Sequence, residues 1–429
     1  MLDIKFVREN KEAVAEAIKN KGLSVNLEKL LSLDETRREL ITKMEAARAE
    51  QKKLGKDNIE KARELKEEQK KIELELNEIL VEYDTLMLRL PTVPSPDTPI
   101  GKNADNNVEA LTWGEIPSFD FTPKDHIQLG KDLDILDLER GTKVGGYRGY
   151  YLKNEGAQLV MAVMLYALNK MVAKGYTPMI VPTLVREFAL FGSGYFNGKE
   201  YNQETDEIYQ VATRDKESDG SQSKEKKFLV GTAEPSLLAY YSDEILKEEN
   251  LPLRFCGFSQ CYRSEIGSYG KDTKGIYRVH EFMKVEQVIF APVDIELANK
   301  LQDEMVGISR ELHEDLGLPY RLLKICTGDM SAGKYRAFDI EAWMPGLDRF
   351  GETGSASNFL DWQSRRLNVR YKAKDGQTKF AYLLNNTALA SPRTFIAILE
   401  NYQQADGSVK IPEVLRPYMG GKEIIKRNN

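Results

Sequence analysis

The chain has 429 residues, of which 41% are hydrophobic and 30% charged, and its formal net charge is −6. This length suits about two or three domains, and the composition is that of a globular protein, which excludes a largely disordered chain. The acidic balance gives no overall field that attracts phosphates, so contact with a nucleic acid would need a local basic patch.

The cysteines and the N-terminal stretch indicate the compartment. Three cysteines, an odd number without paired spacing, argue against a disulfide framework or a closed zinc site. The first residues are charged and lack an apolar signal-peptide region, and no apolar run approaches the ~20 residues that span a bilayer. We therefore expect a cytoplasmic protein that does not enter a membrane.

The segment from Asn26 to Leu90 has the composition of two long helices. It contains no proline and a single glycine, Gly55. Apolar residues recur every seven positions on both sides of this glycine, which predicts a coiled coil. The repeat residues are Leu30, Leu33, Leu40, Met44, Ala47 and Leu54, then Leu65, Ile72, Leu76, Ile79, Tyr83, Leu86 and Leu90. Because the connection is short, the two helices must form an antiparallel hairpin.

Local signals mark the helix ends and the tip of this hairpin. Asn26 can cap the first helix and Gly55 can follow it in the left-handed conformation, while Asp57 and Glu60 resemble a capping box and Pro91 ends the second helix. Basic residues gather toward the tip: Lys52, Lys53, Lys56, Lys61, Arg63, Lys66, Lys70 and Lys71. Such a face can meet a phosphate backbone, whereas dimerisation is the ordinary role of a coiled coil.

The chain changes character after the hairpin. Residues 91–115 combine prolines with Asn, Asp and Gly and read as a linker. Beyond them, alternating apolar stretches and a few helices predict an α+β domain built on an antiparallel sheet with flanking helices. We expect an N-terminal domain over residues 1–110, with the hairpin at about 26–90, and a second domain over residues 111–429.

Several common active-site motifs are missing from the sequence. It has no GxxxxGK[ST] loop, and in its nearest approach to a dinucleotide loop, Gly192–Gly198, the last glycine is one place late. It has no HExxH or GxSxG motif either. The three histidines, His126, His280 and His313, are scattered, so we expect each of them to be structural.

The most informative stretch begins as LRFCGFSQCYRSE and reads as strand, loop, strand. Alternate residues of a strand share a face, so Arg263 and Glu265 should lie on one face of the first strand, and Phe282, Lys284 and Glu286 on one face of the second. A glycine-rich, basic loop joins the strands. This hairpin offers what ATP needs: a guanidinium for phosphate, an aromatic face for adenine and a carboxylate for an amino group.

The whole stretch, residues 254–287, resembles motif 2 of class II aminoacyl-tRNA synthetases in its seryl form. Residues 156–182 read as a helix followed by a strand that ends in proline, and are similar to motif 1, the dimer element of this class. Residues 384–403 read as a strand entering a helix and resemble motif 3. Arg393 would lie beside the helix N-terminus, where the helix dipole and the guanidinium together favour phosphate.

Two shorter segments resemble the seryl family. Thr232–Glu234 resembles the threonine-alanine-glutamate segment that contacts the amino acid. ETGSASN, which begins at Glu352, resembles the segment that supplies a glutamate and a serine to ATP and its magnesium. Thr353 and Gly354 depart from the family's residues there, but Glu352 and Ser355 keep the hard oxygen donors that magnesium requires.

Motif 3 also departs from the family pattern. Tyr382 stands where bacterial members usually have histidine, and Asn386, Ala388 and Pro392 replace common glycines, while Arg393 is kept. The chain ends with ADGSVKIPEVLRPYMGG, which is very similar to the seryl family's end. The resemblance thus covers essentially the whole chain, including the hairpin, which is the tRNA-binding arm of this family.

The resemblance implies an enzyme that activates L-serine with ATP and passes the seryl group to the 3′ end of tRNA(Ser); charging of tRNA(Sec) stays open. It implies Arg263 and Arg393 as catalytic residues. The residues implied for ATP are Arg263, Ser264, Glu265, Val279, Phe282, Glu352, Thr353, Gly354, Ser355 and Arg393. Those implied for serine are Thr232, Ala233, Glu234, Arg263, Glu286, Asn385 and Thr387. Those implied for Mg²⁺ are Glu352 and Ser355.

The resemblance also implies a homodimer whose N-terminal helical arm binds tRNA. Three alternatives stay open: an enzyme that adenylates an amino acid for another acceptor, a class II synthetase of different specificity, and a coiled-coil scaffold without activity. The intact arm disfavours the first, and the segment at Thr232 with the terminal sequence disfavours the second. A scaffold would not require Arg263, Glu286 and Arg393 in order.

Overall fold

The computed structural model describes residues 1–54, 58–196, 198, 200–266 and 274–427. The predicted roles of Gly55, Lys56 and Asp57 at the hairpin tip, and of most of the glycine-rich loop, lie outside the described residues. The chain divides into two compact units, Met1–Val93 with Ser331–Gly333, and Pro94–Met330 with Lys334–Asn429. The predicted domain limits at residues 110 and 111 stay a prediction.

The first unit contains four helices within its described residues: α1 (Ile4–Glu9), α2 (Lys11–Asn20), α3 (Leu27–Lys53) and α4 (Ile59–Arg89). The predicted cap on α3 is confirmed, because the Asn26 side chain accepts a hydrogen bond from the Lys29 amide at 2.9 Å. Helix α4 ends just before Leu90 and Pro91, as expected when proline cannot continue a helix.

The two long helices pack along the predicted heptad positions. Leu40 and Met44 of α3 pack against Ile72 of α4. At a polar position of the seam, the Gln69 amide donates to the Gln51 side-chain oxygen at 3.0 Å. At the other end of the pair, a larger apolar cluster joins α1 and α2 to the hairpin, with Val7, Val14, Ile18, Leu30, Tyr83 and Met87. The antiparallel coiled-coil hairpin is therefore confirmed.

The second unit combines helices with several sheets. Its helices are α5 (His126–Asp132), α6 (Leu138–Gly145), α7 (Asn154–Ala173), α8 (Glu187–Ser193), α9 (Glu234–Ala239), α10 (Ile295–Asp315), α11 (Trp362–Leu367) and α12 (Ser391–Asn401). Its strands are β1 (Val108–Trp113), β2 (Leu136–Asp137), β3 (Tyr151–Leu152), β4 (Thr177–Ile180), β5 (Leu184–Arg186), β6 (Tyr209–Val211), β7 (Lys227–Leu229), β8 (Ile245–Lys247), β9 (Leu253–Tyr262), β10 (Glu281–Ala291), β11 (Tyr320–Lys324), β12 (Arg336–Met344), β13 (Arg349–Asn358), β14 (Arg370–Lys372), β15 (Thr378–Phe380), β16 (Tyr382–Ala390), β17 (Val409–Lys410) and β18 (Ile424–Ile425). Short 3₁₀ turns cover Ala104–Asn106, Glu248–Asn250, Pro345–Leu347 and Glu413–Met419.

The main sheet runs in the order β1-β11-β12-β13-β16-β10-β9-β4. Its neighbouring strands are antiparallel, except that β4 runs parallel to β9. Smaller sheets have the orders β15-β14-β8, β5-β7-β6, β17-β18 and β2-β3. The predicted α+β fold, with an antiparallel sheet and flanking helices, is confirmed.

Helices α7, α10 and α12 share one apolar core with the central strands β10 and β16; this core includes Leu159, Met164, Val285, Ile289, Met305, Leu384 and Phe395. Helix α7 is long and apolar enough to cross a membrane by length and composition. This corrects the expectation that no apolar run approaches that length. A helix that lays one face on a sheet passes the same test, and the buried face of α7 does so.

The three motif regions take mostly the predicted structure. Helix α7 leads into β4 for motif 1, and β16 runs directly into α12 for motif 3, with Arg393 in the first turn of the helix. For motif 2 one prediction is wrong. Strand β9 ends at Tyr262, before Arg263 and Glu265, and Glu265 has a φ of +54°, so the alternation of faces in a strand does not apply to them.

Candidate active site

A pocket of about 520 Å³, including the solvent at its mouth, lies beside strands β10, β13 and β16. This volume is in the range of small-molecule sites. The predicted ATP residues that line it are Arg263, Glu265, Val279, Phe282, Glu352, Thr353, Gly354 and Arg393. Residues with no predicted ATP role complete the wall: Tyr277, Arg278, Lys284, Thr387, Ala390 and Pro392. The fold thus brings motifs 2 and 3 and the Glu352 segment together.

Arg263 is held by its backbone just beyond the end of β9. Its amide donates to the His280 carbonyl at 2.9 Å, and the His280 ring donates from Nδ1 to the Arg263 carbonyl at 2.8 Å. The guanidinium carbon lies 5.6 Å from the centre of the Phe282 ring. A cation and an aromatic face are therefore adjacent at one wall of the pocket.

Arg393 is oriented by four contacts with two residues. Its guanidinium donates to the Glu352 carbonyl at 2.7 Å and lies 3.3 Å from the Glu352 carboxylate. It also donates to the Tyr277 carbonyl at 3.2 Å and covers the Tyr277 ring at 4.4 Å. Desolvation opposes ionisation of Glu352, but the charges of Arg393 and Arg263 outweigh it and lower the pKa of this carboxyl.

Glu265 is buried and fixed by an ion pair. Its carboxylate accepts from the Arg278 guanidinium at 2.6 Å, and Arg148 lies 4.0 Å away. One carboxylate oxygen is thus engaged by Arg278. The neighbouring Ser264 hydroxyl is buried and, within the described residues, makes no hydrogen bond.

Oxygen donors suited to a divalent cation lie side by side on β12 and β13. Asp339 pairs in register with Ser355, and the two side chains are hydrogen-bonded. Burial, together with the charge of Glu352, raises the pKa of Asp339 to about 7. Crowded hard oxygens of this kind fit Mg²⁺, which would relieve their repulsion. In the part of the chain that the structure describes, no cluster of three or more His, Cys, Asp or Glu could hold a metal ion.

The two residues that depart from the family in this segment have different settings. Thr353 lines the pocket and is buried, and its hydroxyl lies 2.7 Å from the His313 ring. A Cβ on Gly354 would lie 2.9 Å from Ile340 and 3.0 Å from the Thr387 carbonyl. Only glycine lets β13 approach its neighbours this closely.

A buried charge pair lies deeper along the same strands. The Lys284 ammonium is 2.7 Å from the Glu286 carboxylate and donates to the Thr387 hydroxyl at 3.1 Å. Thr387 in turn donates to Glu286 at 3.2 Å. Each of these side chains is less than one-tenth exposed, so Lys284 compensates the charge of Glu286 in an interior where an unpaired carboxylate would be costly. The sequence placed Lys284 on this face but assigned it no role.

Glu234 is also buried, but neutral groups surround it. One carboxylate oxygen accepts from Gln363 at 2.7 Å and Asn385 at 2.9 Å, and the other accepts from the Tyr195 hydroxyl at 3.0 Å. Burial, with the charge of Glu286 nearby, raises the pKa of Glu234 to about 7. An ammonium group placed here would favour the ionised carboxylate.

The rest of the predicted serine segment supports this cluster. The Thr232 hydroxyl is buried and has no hydrogen-bond partner among the described residues. It is therefore available to hydrogen-bond a ligand. Ala233 packs against Gly257, where a Cβ would lie 2.9 Å from the Ala233 Cβ. Tyr195 and Gln363 were missed by the sequence reading, since only the fold brings them to Glu234.

Glu234→Gln is expected to change how stability depends on pH. An unfolded glutamate loses its proton near 4.5, whereas folded Glu234 does so at about 7, so the folded state holds this proton more tightly. The wild-type carboxyl therefore makes folding less favourable as pH rises through that interval. We expect the free energy of unfolding of the variant to gain about 2–3 kcal/mol relative to wild type between about pH 5 and pH 8. Urea unfolding of both proteins measures this, with the exposed Glu217→Gln as control; a constant difference would contradict it.

The unusual residues of motif 3 are accommodated in the structure. The Asn386 amide donates to the Ser309 hydroxyl at 2.7 Å, the Met305 carbonyl at 3.1 Å and the Gln287 side chain at 3.2 Å. Pro392 lies in the first turn of α12, where proline is well tolerated. Asn386 therefore adds a satisfied polar link between β16 and α10 where a glycine would leave space.

Two family models match the chain. The model described as "Seryl-tRNA synthetase N-terminal domain" matches residues 1–94. The model described as "tRNA synthetase class II core domain (G, H, P, S and T)" matches residues 209–402. The first match covers the helical hairpin, and the second covers motifs 2 and 3.

Similar proteins match over the full length. Serine--tRNA ligases from Treponema denticola and Borreliella burgdorferi are each 41% identical, over 99% and 100% of this chain and 100% of the relative. The structure of seryl-tRNA synthetase from Pyrococcus horikoshii complexed with ATP has a TM-score of 0.88 at 35% identity and covers 100% of both chains. That of the Naegleria fowleri cytoplasmic enzyme in complex with AMP has a TM-score of 0.88 at 32% identity, over 100% of this chain and 99% of that one. The chain therefore belongs to the seryl-tRNA synthetase family of class II aminoacyl-tRNA synthetases.

Proposed function

We propose that this protein activates L-serine with ATP to seryl-adenylate and transfers the seryl group to the 3′ end of tRNA(Ser) in the cytosol. The observation that carries the proposal is a pocket beside a buried acidic compartment. The pocket is cationic and aromatic, with Arg263, Phe282 and Arg393. The acidic compartment holds Glu234 and Glu286, and Glu286 contacts the pocket residues Lys284 and Thr387. The first suits a nucleoside polyphosphate and the second suits a small ammonium-bearing molecule.

In the first step, a carboxylate oxygen of serine attacks the α-phosphorus of ATP, and the bond from that phosphorus to the bridging oxygen breaks to release pyrophosphate. Arg263 bridges the α-phosphate and the serine carboxylate, while Arg393 neutralises the outer phosphates. Phe282 stacks on adenine, and the Glu265 carboxylate accepts from the adenine amino group. The reaction needs no protein nucleophile, because positioning and charge neutralisation supply the catalysis.

In the second step, a ribose hydroxyl of the terminal adenosine of tRNA attacks the carbonyl carbon of the adenylate. The bond between that carbon and the phosphate oxygen breaks, AMP leaves, and the hydroxyl proton is released. Arg263 remains beside the phosphate and stabilises the departing charge. The same site thus serves an adenylyl transfer followed by an acyl transfer.

Glu352 and Ser355 are the proposed protein ligands of Mg²⁺. When bound there, the ion supplies charge neutralisation to the polyphosphate. The hydrogen bond from Ser355 to Asp339 orients the hydroxyl, and Arg393 keeps Glu352 at the pocket wall. The positively charged Arg393 and the negatively charged Glu352 would thus lie on the same side of the pocket, next to the phosphates of ATP.

Selection of serine follows from the charges of the acidic compartment. Lys284 already neutralises Glu286, so Glu286 and Thr387 suit the neutral serine hydroxyl, whereas Glu234, with its uncharged neighbours, suits the ammonium, with help from Thr232. Alanine would leave buried hydrogen-bonding groups unpaired, which gives rejection of up to roughly 10⁴–10⁵-fold. Threonine must be excluded by the shape of the compartment.

The hairpin and the motif 1 region support the proposed partners. The basic residues toward the end of the hairpin are exposed, among them Lys52, Lys66 and Lys70, so α3 and α4 can meet the backbone of tRNA. Apolar side chains remain exposed on α7 and β4, including Leu165 and Ile180. An exposed apolar patch of this kind supports a homodimer built through motif 1.

Pyrophosphate exchange into ATP, run separately with all twenty amino acids, tests the proposed function. We expect exchange with serine and background with alanine and threonine, because alanine lacks the hydroxyl that Glu286 accepts and the shape of the compartment excludes the extra methyl group of threonine. Exchange with a different amino acid would reassign the specificity. Serine-dependent exchange without charging of tRNA(Ser) would favour an enzyme that serves another acceptor.

A further inference from the structure

His126 and Glu400 form a buried pair that lies outside the pocket wall. The two side chains are almost fully shielded from solvent. The Glu400 carboxylate accepts from the His126 ring at Nδ1 and from the His126 amide, both at 2.8 Å. Glu400 belongs to α12, the motif 3 helix, and His126 begins α5. The pair therefore joins two elements that are far apart in the chain.

The other ring nitrogen of His126 faces motif 2. The Ile276 amide donates to Nε2 at 3.3 Å. A backbone N–H can only donate, so Nε2 must be unprotonated and the ring hydrogen must sit on Nδ1, where Glu400 accepts it. Gly275 allows this approach, because a Cβ there would lie 2.0 Å from Nε2. By accepting the hydrogen on Nδ1, the Glu400 carboxylate thus favours the His126 tautomer whose Nε2 can accept from the Ile276 amide.

The same carboxylate reaches the strand that carries Glu352. Its second oxygen accepts from the Gly346 amide at 2.8 Å, in the turn that joins β12 to β13. The residue after Ile276 is Tyr277, whose carbonyl and ring hold Arg393. One buried imidazole and one buried carboxylate therefore link three segments that end in the pocket.

We propose that His126 is a positioning residue for ATP, and that it acts by accepting the Ile276 amide hydrogen while Glu400 holds its ring. The inference rests on the proposed function, since it assigns the segment from Ile276 to Val279 to the ATP wall. His126 touches no substrate. It positions the backbone of Tyr277, and the Tyr277 carbonyl and ring in turn orient the Arg393 guanidinium.

Two variants test the hydrogen bonds of the two imidazole nitrogens separately. In His126→Asn the amide can replace Nδ1 and bind Glu400, but nothing accepts the Ile276 hydrogen. In His126→Gln the longer side chain places its oxygen near the position of Nε2 and accepts that hydrogen. We expect the Kd for ATP, measured by calorimetry, to rise about five- to thirtyfold in His126→Asn, the effect of one lost buried hydrogen bond. His126→Gln should stay within about threefold of wild type, and the KM for serine should be unchanged in both.

The thermal midpoints of both variants separate positioning from stability. If His126 were merely structural, the Kd for ATP would rise only as far as the thermal midpoint falls, and His126→Asn would not differ from His126→Gln at equal stability. That result would overturn the proposal. A ¹⁵N spectrum of the wild type adds a test without substitution. The chain has three histidines, and the one assigned to His126 should show an unprotonated Nε2; a protonated Nε2 overturns the proposal. Absence of serine-dependent exchange in the wild type would instead overturn the proposed function.

Discussion

Replacing residues 48–71 with a short Gly-Ser loop is expected to abolish charging of tRNA(Ser) while serine-dependent pyrophosphate exchange stays within about twofold of wild type. The change removes the exposed basic end of the hairpin, whose loss reduces tRNA affinity by at least ~100-fold when several phosphate contacts disappear. Gln51 bonds to Gln69 across the helices, so Ala47 and Ile72 lie nearly opposite each other and a short loop can join them.

This cut leaves the shorter hairpin its own core. Leu40, Met44 and Ile72 remain packed, as does the cluster around Leu30 and Tyr83. Aminoacylation and exchange, measured on the same preparation, check the prediction. As a matched control, full-length protein with Lys52, Lys66 and Lys70 changed to Gln should charge more weakly and with a shallower salt dependence. Normal charging by the shortened protein would show that the hairpin serves another purpose.

Glu286→Gln is expected to lower kcat/KM for serine in pyrophosphate exchange by about 10²–10³-fold, with the KM for ATP within about threefold of wild type. The variant removes the charge that Lys284 and Thr387 contact. The serine hydroxyl then loses its strongest acceptor, whereas the wall formed by Phe282 and Arg393 is untouched. Intact serine-dependent exchange would show that Glu286 does not bind serine.

A second variant separates recognition from stability. Glu286→Gln leaves the Lys284 ammonium buried without its counter-charge, which costs about 3–5 kcal/mol of the free energy of unfolding. Lys284→Met combined with Glu286→Gln removes that penalty, so its thermal midpoint should return toward wild type. Its kcat/KM for serine should remain low. Recovery of serine activation in the double variant would mean that the single variant was only unstable.

Much of this fold could be predicted because it depends on neighbours in the chain. The seven-residue spacing of Leu33, Leu40 and Ala47 determines one face of α3, and Asn26 caps the same helix through a residue three places on. Motif 3 is similar, since β16 runs directly into α12 and places Arg393 at the helix start whatever surrounds it. Periodicity and capping act over a few residues and are visible in sequence.

The surroundings of the proposed catalytic residues could not be predicted in the same way. Glu265 was expected to continue a strand, but its ion pair with Arg278 accompanies a left-handed backbone. The contact between Asp339 and Ser355 depends on the register of two strands. No local pattern encodes such pairings, because register is decided by how whole strands bury their faces.

The helical hairpin, the α+β class and the order of the motifs follow from local spacing and are therefore visible in the sequence. The partner that each charged group meets depends instead on tertiary contacts. The fold placed Lys284 on Glu286 and surrounded Glu234 with neutral donors, so that two carboxylates of the same compartment have different chemistry. It also joined His126 to Glu400 across most of the chain. The physical reason is that burial makes the charge and hydrogen-bond partners of a group decisive, and those partners come from segments that only folding brings together.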